Sequence, residues 1–483
     1  MPADNPTPVP AAPEAAPVAP PASSSRLGRY DRSIVEGPIG RAVWRLSWPT
    51  ILQNAMGGLQ GIVDHAMVGN FVGYTGNAAI GVSWQIFLVI IVFMGSLFTG
   101  MAVLVARYAG ANEPEKVNRA VYQAFLVALA LAVLVLAPLG YFLSPWLLEL
   151  VNAAPEVRAQ ALPYIRTLFL FGFGLLLFYM LGAALRSAGD PRTPLKFGVA
   201  ITILNVVFNV IFIRGAGPIP AMGTQGAAIG TVLATAIVSV VAIRMLLGER
   251  LVVGFPKGDW RPDWVMIKSL FRFGLPAGIQ GVAMNLAGLL LLRFIGSLPE
   301  SAAAQAAYAV GYTELFSMIT WTSVGLMGAA AAAAGQNLGA GHPERSVEAV
   351  RKAAFGGLMI AAGVGALFVL IPEKLLWAFG LTDPLVTRLG SQLLGYLAFS
   401  GFFITVALTY TGGLQGTGDT RSPLYITIVS QIIVPLGTCA MLQSAGNLTS
   451  GGIWTAIVLG HVTRATLSVV RFRQRKWVQI RVA

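Results

Sequence analysis

Apolar stretches long enough to cross a bilayer as helices, about 20 residues each, recur along this chain with polar breaks between them. They fall at roughly 43–68, 78–106, 117–142, 161–185, 194–213 and 226–247, then at 266–295, 302–335, 347–371, 387–414, 423–441 and 452–472. The pattern predicts an all-α polytopic membrane protein of 12 transmembrane helices. The longest break, 248–265, divides the spans six and six and reads as a cytoplasmic interlobe loop. The expected lobes are 34–247 and 266–473. A Pro/Ala-rich tail over 1–33 has no apolar core, so it reads as disordered rather than as a secretory signal. Residues 474–483 read as a basic cytoplasmic tail.

The two sets of spans are copies. Gly189-Asp190-Pro191-Arg192-Thr193-Pro194-Leu195 returns as Gly418-Asp419-Thr420-Arg421-Ser422-Pro423-Leu424, 229 residues later. Gly110-Ala111-Asn112-Glu113-Pro114 returns as Gly339-Ala340-Gly341-His342-Pro343 at the same offset. A weaker match pairs Arg45, Pro49, Gln53 and Gly69 with Arg272, Pro276, Gln280 and Gly296 at offset 227. Six spans per copy is an even number, so both copies enter from one side. They should be related by a pseudo-twofold axis along the membrane normal, with a cavity between them. Pro49 and Pro276 are the expected helix kinks, and the two Gly-Asp-x-Arg loops are expected to brace inner helix ends.

Composition agrees: 55% of residues are hydrophobic and 11% charged, where a soluble chain is about a quarter charged. The net charge of +13 would suggest nucleic acid on a soluble protein. Position decides otherwise. Of 33 Lys and Arg, 27 fall in segments on one side, Arg464 counted among them; five fall in loops on the other, and Arg293 lies within the seventh span. That bias orients both termini to the cytoplasm. It is a topology signal, and nucleic acid is not an expected partner. One cysteine, Cys439, excludes an intrachain disulfide, and three scattered histidines give no metal site. No Walker loop accompanies the spans, so ATP is not the expected direct power source.

Two acids stand well within spans, Asp64 and Glu314. An unpaired carboxylate in hydrocarbon is expensive, so each is a functional candidate. At about 1.5 Å per residue, Asp64 lies roughly 22 Å beyond Pro49, and Asn205 and Asn209 roughly 18–24 Å into the fifth span. The two asparagines are four apart and share a helix face. Tyr164 and Thr231 lie near the outer starts of their spans, so all five can share one layer of the N-terminal lobe. There a carboxylate can hold a charge or a proton, and amide or hydroxyl oxygens can bond it or ligate a hard cation. His65 is about 100° around the helix from Asp64 and is expected to pack elsewhere. Glu314, amid Tyr312, Phe316, Met318 and Trp321, suits a cationic aromatic guest; pairing with Arg293 is its alternative.

The chain resembles the MATE (multidrug and toxic compound extrusion) family. The resemblance rests on Trp48-Pro49, Val63-Asp64, Leu185 to Pro194, Asn205-Val206-Val207-Phe208-Asn209 and Gly226 to Thr231, and extends over about residues 34–473. It implies that Asp64, with Asn205, Asn209, Tyr164 and Thr231, forms a cation-coupling site. Some members carry an acid at the Asn209 position, and others a glutamate where Met284 stands, followed here by Asn285. Those absences leave Glu314 as the one candidate for a coupling site in the C-terminal lobe, and Glu314, Met284 and Asn285 are expected to line the substrate cavity. The expected function is antiport, with H⁺ or Na⁺ exchanged for organic, cationic amphiphilic compounds. The expected protein is a monomer in the cell membrane without a cofactor. The alternative is a flippase for a lipid-linked saccharide, whose anionic cargo would want buried arginines. A membrane enzyme is disfavoured because no nucleophile–base pair converges on one depth, and a receptor would not explain the duplication.

Overall fold

The computed structural model describes residues 30–258 and 260–482. Residues 1–29 of the expected tail lie outside the described residues; its last part does not, since Tyr30 is buried and Ser33–Glu36 forms a helical turn. Six long helices make the first lobe: α1 (Ile39–Phe71), α2 (Tyr74–Gly110), α3 (Pro114–Leu150), α4 (Pro155–Phe171 continued by Phe173–Ser187), α5 (Arg192–Arg214) and α6 (Gly223–Leu247). Six more make the second: α7 (Trp264–Gly296), α8 (Ser301–Gly339), α9 (Pro343–Leu370), α10 (Pro384–Gly416), α11 (Arg421–Ser444) and α12 (Ser450–Arg473). Among the described residues there is no β-strand. A lone helix satisfies its backbone internally, which is what a lipid environment demands.

Ten of these helices are individually long and apolar enough to cross a membrane, and the two parts of α4 are so together. The exception, α1, is diluted by Gln53, Asn54, Gln60, Asp64 and His65. These residues turn to partners in the protein: Gln53 accepts from Arg186 Nη1 at 3.2 Å, and Gln60 from Thr202 at 3.3 Å. Both α1 and α7 run unbroken through Pro49 and Pro276. A bend of 53° lies at Gly172 in α4.

Inter-helix pairing obeys the duplication. In the first lobe α1 lies on α5, α4 on α2 and α6, and α5 on α6; in the second α7 lies on α11, α10 on α8 and α12, and α11 on α12. Between lobes α2 packs along α7 as α1 does along α8, and α2 meets α8 on the axis. Near that axis a Cβ on Gly110 would collide with the Gln336 carbonyl, and one on Gly339 with the Arg107 carbonyl. Arg107 and Gln336 are themselves 229 apart, so the two helices cross on matched glycines. The crossing marks the basal face, where both ends of the described chain lie. Lobe contacts continue from there to Gly281 with Val92 and Gly58 with Trp321. Further along, Gly61 and Gly288 have no neighbour within 4 Å of a would-be Cβ.

The repeated loops are superposable in detail. Gly189 and Gly418 both take φ +98°. Asp190 accepts from Arg192 N and Thr193 N (3.1 Å each), and Asp419 from Ser422 N (3.2 Å), so each aspartate caps the helix that follows. Asp419 additionally binds Arg471, through Nε and Nη2 at 2.9 Å.

Two segments expected as polar surface are packed. In the connector 248–265, Leu251, Val253 and Phe255 are buried, and Phe255 meets the Tyr122 ring at 5.5 Å. Gln123 Nε2 donates to the Arg261 carbonyl, and Asp263 caps α7. In the expected basic tail, Trp477 is fully buried and stacks on Phe472 at 4.9 Å. One step further, the Ile480 carbonyl accepts from Arg107 at 3.1 Å. Apolar residues inside these short segments override their charge.

Candidate functional sites in the two lobes

In the first lobe Asp64 stands seven residues before the distal end of α1, on the face turned to α5. Its Oδ1 accepts from Asn209 Nδ2 at 2.6 Å. The same nitrogen donates to Asn205 Oδ1 at 3.2 Å, and Asn205 Nδ2 to Thr231 Oγ1 at 3.0 Å. Thr231 donates to the carbonyl of Ala227 at 3.1 Å. A backbone carbonyl can only accept, so the whole chain of donors is oriented from that end. Asp64 is thereby always offered an N–H, the partner of a charged carboxylate. Asn205 and Asn209 are fully buried, Tyr164 is buried within electrostatic reach of Asp64, and Asn209 Oδ1 has no partner. The structure thus brings together the five residues of the expected layer. Gly230 makes room for it: a Cβ there would collide with Asn209 Oδ1. His65 turns aside to Asn77.

The second lobe is built differently at the equivalent positions. Asp64, Asn205 and Asn209 correspond to Leu291, Val434 and Thr438. Leu291 lies in the wall of a cavity of about 350 Å³ between α7, α8, α11 and α12. Met284 and Asn285 line it, together with Tyr308, Tyr312, Gln431 and His461. Glu314 does not; it is exposed and makes no ion pair with Arg293, which is also exposed. Glu314 lies within a π-helical stretch, Ala309–Leu315, and a second such stretch covers Ile428–Ile433. The matching stretches of α2 and α5 are regular helix.

Sequence reasoning missed Arg464. Counted with the basal segments, it is instead 1% exposed within α12, so Arg293 is not the one basic residue inside a span. Its spacing from His461, three residues, places both on one helix face and is the signal that could have found it. Among the described residues no group of three or more His, Cys, Asp or Glu could hold a metal.

Comparison with known proteins places this geometry. A family model described as MatE matches residues 49–211 and 276–440. The chain is 25% identical over 443 residues to a probable multidrug resistance protein NorM of Thermotoga maritima, covering 91% of this chain and 93% of that one. It is 25% identical over 442 residues to the multidrug resistance protein MdtK of Pectobacterium atrosepticum, covering 90% and 95%. Among solved structures, it overlays an outward-facing conformation of a multidrug resistance MATE family transporter with TM-score 0.84. That match is 22% identical and covers 92% of this chain and 97% of the other. MATE in a bent conformation overlays at 0.83, again at 22% identity, covering 92% and 96%.

Proposed function

This chain belongs to the MatE family, whose members are transporters and not enzymes, and on that premise we propose that it is a cation-coupled antiporter exporting organic compounds by alternating access. The observation that carries the reading is a carboxylate within a span, Asp64, at the end of a directed chain of buried donors. An external H⁺ or Na⁺ takes Asp64 and cancels the charge that Asn209 holds. The first lobe then repacks, the lobes rock, and the cation leaves inward while cargo leaves outward. The Lys and Arg asymmetry supports a basal face turned to the cytoplasm. Names of relatives in multidrug resistance support an efflux role. One charge crossing 100 mV supplies about 2.3 kcal/mol, enough for a roughly fifty-fold cargo gradient.

Glu314, exposed and away from the cavity, gives no support to a preference for cationic cargo. A lipid-linked saccharide flippase would use buried arginine such as Arg464. The adjoining cavity, about 350 Å³, is of small-molecule size instead. The test is transport of a fluorescent organic solute in proteoliposomes, driven separately by a pH gradient and a Na⁺ gradient. Antiport requires that one gradient accelerate flux and that Asp64→Asn remove the acceleration; flux indifferent to both gradients overturns it.

A further inference from the structure

Arg464 is buried without a counter-charge. Its Nε and Nη1 have no hydrogen-bond partner, and it forms no salt bridge. Such a group costs several kcal/mol unless something accepts from it. On the same face of α12, Ile457 and His461 line the second-lobe cavity, and Ser468, one turn beyond Arg464, also has an unpartnered hydroxyl. The stripe at 457, 461, 464 and 468 follows helical spacing, so Arg464 continues the cavity wall at its basal end. Arg464 is also within electrostatic reach of Tyr312 and His461, both in that wall.

The walls are fitted for a planar guest with a negative end. Tyr308 and Tyr312 stack at 4.9 Å and 8°, and Tyr312 stacks on His461 at 6.5 Å. His461 Nδ1 is held by Ser400. Gln431 and Asn285 supply amides, and no acid lines the cavity. Tyr312 and Gln431 sit on two π-helical stretches whose counterparts in α2 and α5 are regular helix. Such stretches re-aim side chains and recur at functional sites. At the positions of His461 and Arg464 the first lobe has Val232 and Thr235.

We propose that the second-lobe cavity is the cargo site for aromatic organic anions and zwitterions, with Arg464 receiving the carboxylate or sulfonate and the Tyr308–Tyr312 stack receiving the ring. This deepens the antiport reading by naming the cargo class, and it rests on that reading. The two lobes then carry opposite buried charges, Asp64 for the coupling cation and Arg464 for the cargo anion.

The test is equilibrium binding to the purified full-length protein in nanodiscs, without any ion gradient, so failure of the antiport reading does not affect it. The probes are 1-naphthoate, naphthyltrimethylammonium and chloride. The expected result is saturable 1-naphthoate binding that falls tenfold or more in Arg464→Gln and is partly kept in Arg464→Lys. Binding of naphthyltrimethylammonium should stay unchanged throughout. If Arg464→Gln does not fold, Gln431→Ala and Tyr312→Leu, on other helices, must each weaken 1-naphthoate severalfold. Naphthoate affinity unaltered by these changes overturns the proposal, and so does a site that binds chloride but no naphthoate.

Discussion

Asn209 holds Asp64 and Asn205 through one amide nitrogen, at 2.6 Å and 3.2 Å, so both hydrogens of that amide are spent. With the far end of the chain pinned at the Ala227 carbonyl, the only free variable is the charge of Asp64. Asp64→Asn keeps an oxygen acceptor for Asn209 and removes the variable. Gradient-driven efflux in proteoliposomes is expected to fall tenfold or more, with thermal unfolding changed by less than about 1 kcal/mol. Undiminished efflux would remove Asp64 from the coupling role.

Gly230 sets where that amide sits. Gly230→Ala forces Asn209 away from Asp64 or strains α6, at a cost of about 1–3 kcal/mol. Coupling should weaken before folding fails, read as a rise in the ion gradient needed for half-maximal efflux.

The crossing of α2 and α8 is closed by Gly110 and Gly339. A side chain at either has only a backbone carbonyl to meet, so Gly110→Val must separate the lobes basally. Spin labels at Asn112 and His342, which share one basal recess, should move apart by several Å, about the girth of the added side chain. An unchanged distance distribution would show that the crossing yields elsewhere.

The paired loops offer an internal control. Gly189→Ala and Gly418→Ala each place a Cβ at φ +98°, a strain of about 1–3 kcal/mol. Asp190→Ala removes a cap at about 1 kcal/mol. Asp419→Ala should cost more, because it also strips Arg471 of its carboxylate. In thermal melts, Arg471→Gln should erase the difference between the two aspartates.

Much of this was legible because it is local. Span length and the Gly-Asp-x-[Arg]-[Thr/Ser]-Pro motif depend on neighbours in sequence, and helical rise alone aligns Asp64 with Asn209. What failed depended on which way a helix faces. Arg464 lies near enough to the end of its span to be counted as flanking charge, although His461 and Ser468 mark an inward face. Glu314 is a cavity candidate by its depth and its aromatic neighbours in sequence, but it lies within the π-helical stretch Ala309–Leu315 and is exposed, off the cavity wall. The connector reads as a polar break in the apolar pattern, while Leu251, Val253 and Phe255 pack it into the protein. The 53° bend of α4 falls at Gly172, which no proline marks.

The bond from Arg107 to the Ile480 carbonyl spans 373 residues of sequence. During synthesis α2 enters the membrane long before its acceptor leaves the ribosome, and in that interval the guanidinium has no such cover. Closing this bond therefore fastens the basal end of α2 after the whole second lobe has been made.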